Sequence, residues 1–433
     1  MNPGTKRGTG PGTDPGTLAL VESNTTGGGR ELVRRARQEG LDPLLLCADP
    51  GRYAYVSEDE VPTRVVDTTS VPALRAALQD HQGPPLAGVT STSEYYVETA
   101  ARVARASGLA GPDPEAVARC RDKRRQRAAL RAAGVPVPAY AAVAEPDQTP
   151  GLLRDLPPGP VVVKPAYGSG SVGVRLCRDR AEAVAHAATL LSAGRNERGV
   201  AQPRGVLVEE YVPGAEFSAE IVGGQVVGVT GKHLGPPPYF VETGHDFPAA
   251  APDALLERIG STALRALAAL GLPDHTAHVE VRAGGAGHAA GHPAGQADEP
   301  TVIEVNPRLC GGGIPELVHL ATGVDLIAGY LDGALGRPPR LAPTRSRAAS
   351  LRFVTVPGDV RLHGVDGLAA ARALPGVHRA EVTAGPEAVL RRRGDFRDRI
   401  GVLVATAADP ATAAARADRA LAALALRTTE EAA

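Results

Sequence analysis

"VVVKPAYGSGSVGVRLC", residues 161–177, holds Gly168, Gly170 and Gly173 in the spacing G-x-G-x-x-G. That spacing marks a dinucleotide-binding turn only where the glycines close a strand and open a helix, so that a pyrophosphate rests on the helix N-terminus. Here both flanks read as strand. "GPVVVKPA" and "VGVRLC" are short and rich in Val, and the first helix-like stretch, "RDRAEAVAHAATLLSAG", begins only near Arg178. A strand, glycine loop, strand hairpin with Lys164 in its first strand is a flap that folds over the phosphates of ATP. The missing helix after Gly173 argues against an NAD-linked oxidoreductase.

With 433 residues the chain is expected to hold two or three domains around a large core. Its 47 basic and 48 acidic residues leave a net charge of -1, which gives no long-range field for nucleic acid or an anionic membrane. No apolar run approaches the roughly 20 residues of a membrane span, and "MNPGTKRGTGPGTDPGT" (1–17) is a Gly/Pro/Thr tail without an apolar signal core, expected to be disordered. Cys47, Cys120, Cys177 and Cys310 are scattered without C-x-x-C spacing, so no zinc site or disulfide framework is expected and a reducing cytoplasm fits.

The region 18–112 alternates strand and helix patterns: "LALVESN" (18–24), a loop and helix at 27–40, "DPLLLCAD" (42–49), "RVVDTT" (64–69), a helix at 71–82, "PLAGVTS" (85–91) and a helix at 95–108. This is the spacing of a small parallel sheet. A region 113–204 opens with one helix, "DPEAVARCRDKRRQRAALRAAG", and carries the glycine hairpin. A third, 205–340, is interrupted at 283–300 by "AGGAGHAAGHPAGQADEP", read as a polar loop with incidental His288 and His292 and with His278 near it, rather than as a metal cluster. After the Arg/Pro linker 336–347, the segment 341–433 reads as a compact α+β subdomain.

The order Lys123, Lys164, glycine loop, Glu209 to Glu216, Glu280, Glu304, Asn306, Arg308 resembles the ATP-grasp carboxylate–amine ligases over nearly all of the chain. Within them, "GPPPYFVETGHDFPA" (235–249) and "GVLVATAADPATAAARADRAL" look like the bacterial L-amino-acid ligases, which join two unprotected amino acids. The resemblance implies an α/β ATP-grasp fold: an N-terminal parallel pre-ATP-grasp domain, a two-lobed ATP-grasp domain and a C-terminal α+β subdomain. It implies ATP, two Mg²⁺ ions (Mn²⁺ fitting the same donors), small-molecule substrates, and compatibility with a homodimer. Purine-biosynthetic and biotin carboxylase-like enzymes of the same superfamily are the alternatives, with "VETGH" weighing against both. A non-catalytic nucleotide-binding protein is the reading from another class, and retention of all three metal ligands weighs against it.

Each motif also has a physical reading. Lys164 lies in an apolar strand, where an ammonium is costly unless it faces an anion such as a phosphate. Lys123, in "RDKRRQR", resembles the second phosphate-contacting lysine; its neighbours Arg124, Arg125 and Arg127 read as a solvated face. Gly168, Ser169, Gly170 and Ser171 form the flap. "VLVEEYVPGAEFSAEI" is the adenosine side: by resemblance, Glu209, Glu210, Tyr211 and Val212 meet the adenine and Glu216 takes the ribose, although Glu209 and Glu210 read equally as an exposed acidic strand end. "HVEVRAGG" and "TVIEVNPR" put Glu280, Glu304 and Asn306 on paired strands, where hard oxygen donors suit Mg²⁺; the competing reading is a salt bridge to Arg282 or Arg308. Arg308 presents a fork for acyl-phosphate oxygens, and Gly311 and Gly312 bring backbone N–H groups close. Glu242 and His245 in "VETGH" hold the amino end of the activated substrate by resemblance. His245 is also a candidate base, since an imidazole ordinarily titrates near neutrality. Cys310 lies beside this site without an identifiable base.

Overall fold

The computed structural model describes residues 16–25, 27–284 and 299–431. Residues 1–15 of the expected tail, and His288 and His292 with most of the 283–300 loop, lie outside the described residues. The chain forms two compact units: one runs to Gly111 and takes back Ala334–Arg337, and the other comprises Pro112–Gly333 and the chain from Pro338 onward.

The first unit is a parallel sheet in the order Thr63–Val65, Asp42–Cys47, Thr17–Val21, Leu86–Thr90. The central strand Thr17–Val21 is buried at every position, which is why it reads as a continuous apolar run and not as an alternation. Helix Val97–Ala106 buries Val97, Ala100, Ala101 and Ala104, an i, i+3, i+4, i+7 stripe.

In the second unit, Tyr140–Val143, Val206–Glu210, Val161–Pro165 and Arg175–Cys177 form an antiparallel sheet in that order. Helix Arg180–Ser192 covers it, packing Ala183, Ala187 and Leu191 on Val161, Val163 and Val208. Val161 pairs with Cys177 and Val163 with Arg175, so the glycine loop joins two antiparallel strands. The G-x-G-x-x-G spacing here is a hairpin tip.

A larger sheet runs Thr301–Asn306, Ala277–Ala283, Ala215–Val222, Gln225–Leu234, Glu242–Phe247, Ala348–Thr355, Arg399–Ala407, Val377–Val382. The segment read as a compact C-terminal subdomain thus contributes Ala348–Thr355, Arg399–Ala407 and Val377–Val382 to the same sheet, while its other strands, Ala388–Leu390, Val360–Asp366 and Ala425–Glu430, form a sheet of their own. This continuity rests on antiparallel pairing of Glu242–Phe247 with Ala348–Thr355.

The helix expected over 113–134 is two helices, Pro114–Arg121 and Lys123–Ala132. Asp122 breaks it: its backbone is extended and its carboxylate accepts from Arg124 N–H, the geometry of an N-cap. Lys123 thereby stands at the first position of a helix.

Candidate active site

Seven strands and the glycine hairpin tip converge on a cavity lined by Gly170, Ser171, Lys164, Glu209–Val212, Glu216, Lys232, Phe240, Glu242, Glu280, Arg282 and Glu304. Its wall is built from buried ion pairs, since a charge withdrawn from water needs a partner. Lys123 Nζ lies 2.9 Å from Glu304 Oε1 and donates to Gly168 C=O at 2.9 Å. Lys164 pairs with Glu209, which also receives Arg127. Lys232 serves three carboxylates, Glu216 at 2.9 Å, Glu242 at 3.0 Å and Glu280 at 3.1 Å.

These pairs revise several sequence readings. Arg127 is fully buried, bridging Glu209 and Ile303 C=O, and does not belong to a solvated face; Arg125 does. Glu209 and Glu210 are buried and not an exposed strand end. The cation beside Glu280 is Lys232, whereas Arg282 pairs with Glu216 at 3.1 Å and donates to Val212 C=O at 2.8 Å. His278 is no part of a polar loop: it sits in the strand Ala277–Ala283, its ring nitrogen Nδ1 3.0 Å from Ser218 Oγ, and burial together with Arg308 pushes its imidazole down to about 3.

Glu280 and Glu304 are directly opposed across their strands, and Asn306 is opposite His278 two positions along the same face. Among the described residues, no three His, Cys, Asp or Glu side chains are gathered as a metal cluster; the donor set is two carboxylates and an amide, the hard-oxygen chemistry that suits Mg²⁺. Burial and the neighbouring carboxylates raise Glu280 to about 7 against the pull of Lys232, whereas Lys123 and Lys164 outweigh burial and lower Glu304. Burial lowers Lys164, with Arg127 adding to this and Glu209 opposing it.

Around Tyr211, Glu210 N–H donates to Ala139 C=O at 2.9 Å and Tyr211 N–H to Pro160 C=O at 3.1 Å. The Arg282 guanidinium lies 5.2 Å from the Tyr211 ring centre and 5.5 Å from that of Phe240.

At the opposite end, Glu242 and His245 share the strand Glu242–Phe247. Residues three apart on a strand ordinarily face opposite ways, but the register shifts between His233 and Leu234 on the neighbouring strand. The shift leaves His245 Nε2 3.4 Å from Glu242 Oε2. His245 Nδ1–H donates to Gly312 C=O at 2.9 Å, because a carbonyl only accepts; among the described residues the buried Nε2 makes no hydrogen bond. Gly312 has φ +62°, and a Cβ there would lie 2.7 Å from His245 Cε1. Gly311 C=O accepts from Ile314 N–H. Arg308 stands just beyond Asn306 and donates to Leu309 C=O. Cys310 is buried, and burial beside Glu220 pushes its thiol well up, the opposite of an activated nucleophile.

The flap is closed over this cavity. Gly170 C=O accepts from Phe396 N–H at 3.0 Å, Ser171 Oγ donates to Phe240 C=O at 2.9 Å, and Leu176 N–H donates to Pro238 C=O at 2.8 Å. Gly170 has φ +64°, and a Cβ there would come within 2.6 Å of the Phe396 ring.

Three contributors escaped the sequence reading: Lys232, Phe396 and Arg399, whose Nη1 lies 2.8 Å from Glu242 Oε2. Lys232 had a readable signal, an isolated Lys in the strand-like "QVVGVTGKHL", the same logic that singled out Lys164. Phe396 and Arg399 had none, since their segment carries no motif.

Residues 158–315 match the family model of the ATP-grasp domain, and residues 352–429 match L-amino acid ligase C-terminal domain 2. The protein y4rH of Sinorhizobium fredii is 39% identical over 391 residues, spanning 90% of this chain and 78% of that one. Carnosine synthase 1 of Gallus gallus is 31% identical over 221 residues, 48% of this chain but 22% of that protein's length. The crystal structure of an L-amino acid ligase from Bacillus licheniformis shares the fold with a TM-score of 0.75 at 22% identity, covering 98% of this chain and 99% of that one. The chain belongs to the ATP-grasp carboxylate–amine ligases, with the C-terminal domain of the L-amino-acid ligase type.

Proposed function

We propose that the protein uses ATP to join an amino-acid carboxylate to an amine through an acyl phosphate, releasing ADP and phosphate, in specialised peptide or natural-product biosynthesis. The observation that carries this reading is the convergence of the glycine flap, the pairs Lys123–Glu304 and Lys164–Glu209, and the Glu242–His245 pair on one cavity. The names of two relatives support it: alanine–anticapsin ligase of Bacillus amyloliquefaciens, 24% identical over 261 residues, and carnosine synthase. Purine-biosynthetic and biotin carboxylase folds are also neighbours, with TM-scores near 0.68, so the fold alone does not choose; the match over 352–429 favours amino-acid ligation.

In this reading the functional part divides into lobes 113–204 and 205–340 with the subdomain 341–433. Lys123 and Lys164 grip the triphosphate under Gly168, Ser169, Gly170 and Ser171. Backbone groups of Glu209–Val212 meet the adenine, the Glu209 carboxylate being engaged by Lys164 and Arg127, and Glu216 faces the ribose. Glu280, Glu304 and Asn306 would hold two Mg²⁺ ions, which neutralise phosphate charge when bound. A carboxylate oxygen of the first substrate attacks the γ-phosphorus, the bond to the β-phosphate oxygen breaks, and ADP leaves; Arg308 faces the charge that develops, with backbone N–H groups of Gly311 and Gly312 beside it. Glu242 receives the ammonium of that substrate. The incoming amine gives a proton to His245 Nε2, its lone pair attacks the acyl carbon, and phosphate departs with the C–O bond pair.

The test is the spent nucleotide and a trap. ADP is expected one for one with amide, and hydroxylamine is expected to divert the activated carboxylate to a hydroxamate. Stoichiometric AMP overturns the mechanism, and stabilisation by NAD but not by Mg-ATP overturns the reading of the hairpin.

A further inference from the structure

Arg399 reaches Glu242, a residue that lines the cavity, from the strand Arg399–Ala407, outside every segment that carries a nucleotide or metal motif. Its Nη1 donates to Glu242 Oε2 at 2.8 Å, and its Nε donates to Phe396 C=O at 3.3 Å. The guanidinium lies 4.5 Å from the centre of the Phe353 ring, whose edge-on partner at 5.5 Å is His245. The side chain is 13% exposed, and among the described residues its Nη2 makes no hydrogen bond. With Nε tied to a carbonyl and the ring fixing the plane, the Nη edge is the part left to meet a ligand.

We propose that Arg399 is a specificity-determining residue that reads the free carboxylate of the incoming amine. The inference rests on the reading above, in which Glu242 receives the ammonium of the activated acid. Arg399 pairs with Glu242 Oε2, while Lys232 holds Oε1 at 3.0 Å. An ammonium that takes Glu242 Oε2 leaves the guanidinium buried and without a counter-ion, a costly state unless an anion arrives with the second substrate. The first substrate's carboxylate does not serve, because it is turned to the γ-phosphate. A carboxylate on the second substrate matches the guanidinium fork, so two zwitterionic substrates replace one internal ion pair with no net change of charge.

The position of the base sets the spacing. A Cβ placed on Gly312 would be 2.7 Å from His245 Cε1 and 3.6 Å from Arg399 Nη1, so base and guanidinium flank the same few ångströms. An α-amino acid presents its amine and carboxylate one carbon apart, which fits that gap. The guanidinium of Arg399 thus selects α-amino acids over simple amines.

The experiment compares acceptors that differ only in this charge. The activated acid is first identified by offering each amino acid singly with ATP, Mg²⁺ and hydroxylamine. Glycine and alanine are then compared with glycinamide and alaninamide by product mass and kcat/KM. Wild-type protein is expected to favour the acid over its amide by about 50-fold or more. In Arg399→Gln the ratio is expected to fall to within about threefold, mainly through a higher KM for the acid, with Arg399→Lys in between. A ratio unchanged in both variants, or no preference in the wild type, overturns the assignment, because a merely structural role lowers both acceptors together. If Arg399→Gln does not fold, Arg399→Lys carries the comparison. Wild-type protein that yields neither amide nor hydroxamate overturns the ligase reading itself, an outcome separate from loss of the ratio.

Discussion

Lys123 Nζ and Glu304 Oε1 lie 2.9 Å apart, so the lysine proposed for phosphate and the carboxylate proposed for metal are each other's counter-ions. Nucleotide or metal arriving alone would separate the pair and satisfy only one of its members. Arriving together, they satisfy both. Thermal unfolding is therefore expected to shift upward more with Mg-ATP than the sum of the shifts with ATP in EDTA and with Mg²⁺ alone, since only ligand bound to the folded state stabilises it. Additive shifts would contradict this exchange of partners.

The metal assignment makes a graded prediction. Glu304 faces Glu280 across the strands and would reach both ions of the proposed site, whereas Asn306 lies farther along the face. Glu304→Gln is expected to lower kcat by about 10³-fold or more, and Asn306→Ala by about 10- to 100-fold. Steady-state ADP release decides, and near-normal turnover in Glu304→Gln would remove the metal site from this position.

Lys232 is the shared cation of Glu216, Glu242 and Glu280, and among the described residues the first two also pair with Arg282 and Arg399. Lys232→Met is expected to cost about 3–5 kcal/mol in denaturant unfolding, the range for removing one member of a buried ionic group. A cost under about 1 kcal/mol would mean that the carboxylates neutralise themselves by taking up protons.

Gly170 tests the flap. Gly170→Ala places a Cβ against the Phe396 ring at φ +64° and is expected to raise KM for ATP by about tenfold or more. Adding Phe396→Ala relieves the collision and is expected to recover part of the loss, a coupling that a double-mutant cycle measures. Strictly additive effects would place the flap elsewhere during turnover.

Glu220 gives a pH signature. It is buried between Thr230, which donates to Oε1 at 3.0 Å, and Cys310, and burial raises its carboxyl to about 7. The folded protein then holds a proton that the unfolded chain has released between an ordinary glutamate's value and about 7, so stability falls as pH rises through that window. The loss is roughly 3 kcal/mol when complete. Glu220→Gln is expected to match wild type near pH 4 and to unfold at higher temperature near pH 8. An equal difference at both values would locate the raised carboxyl elsewhere.

The parts of the site that could be read in the sequence are those with a local physical reason. Lys164 in an apolar strand, glycines between two Val-rich strands, and Glu304 and Asn306 two apart were visible because strand periodicity and burial cost act over a few residues. Lys123 was visible as a residue but not as a helix start, since Asp122 as a cap competes with an otherwise continuous helical pattern. Arg127 looked solvated because a basic helix ordinarily is; its buried partner Glu209 is 82 positions away. Arg399 and Phe396 were illegible for the same reason in a stronger form, as their importance comes from a sheet that no local pattern announces.

The hydrogen bond from Phe396 to Gly170 also bears on how such enzymes diversify. The turn from Gly394 to Arg399 braces the flap at Gly170 and reaches Glu242, yet it contacts no phosphate and binds no metal in the arrangement proposed. Sequence change there is free to alter what the flap closes against while every nucleotide motif stays intact. A fragment ending near residue 340 would retain the whole ATP signature and lack the turn that the flap rests against. Exchange of the C-terminal segment between relatives is therefore a direct route to new chemistry on an unaltered engine.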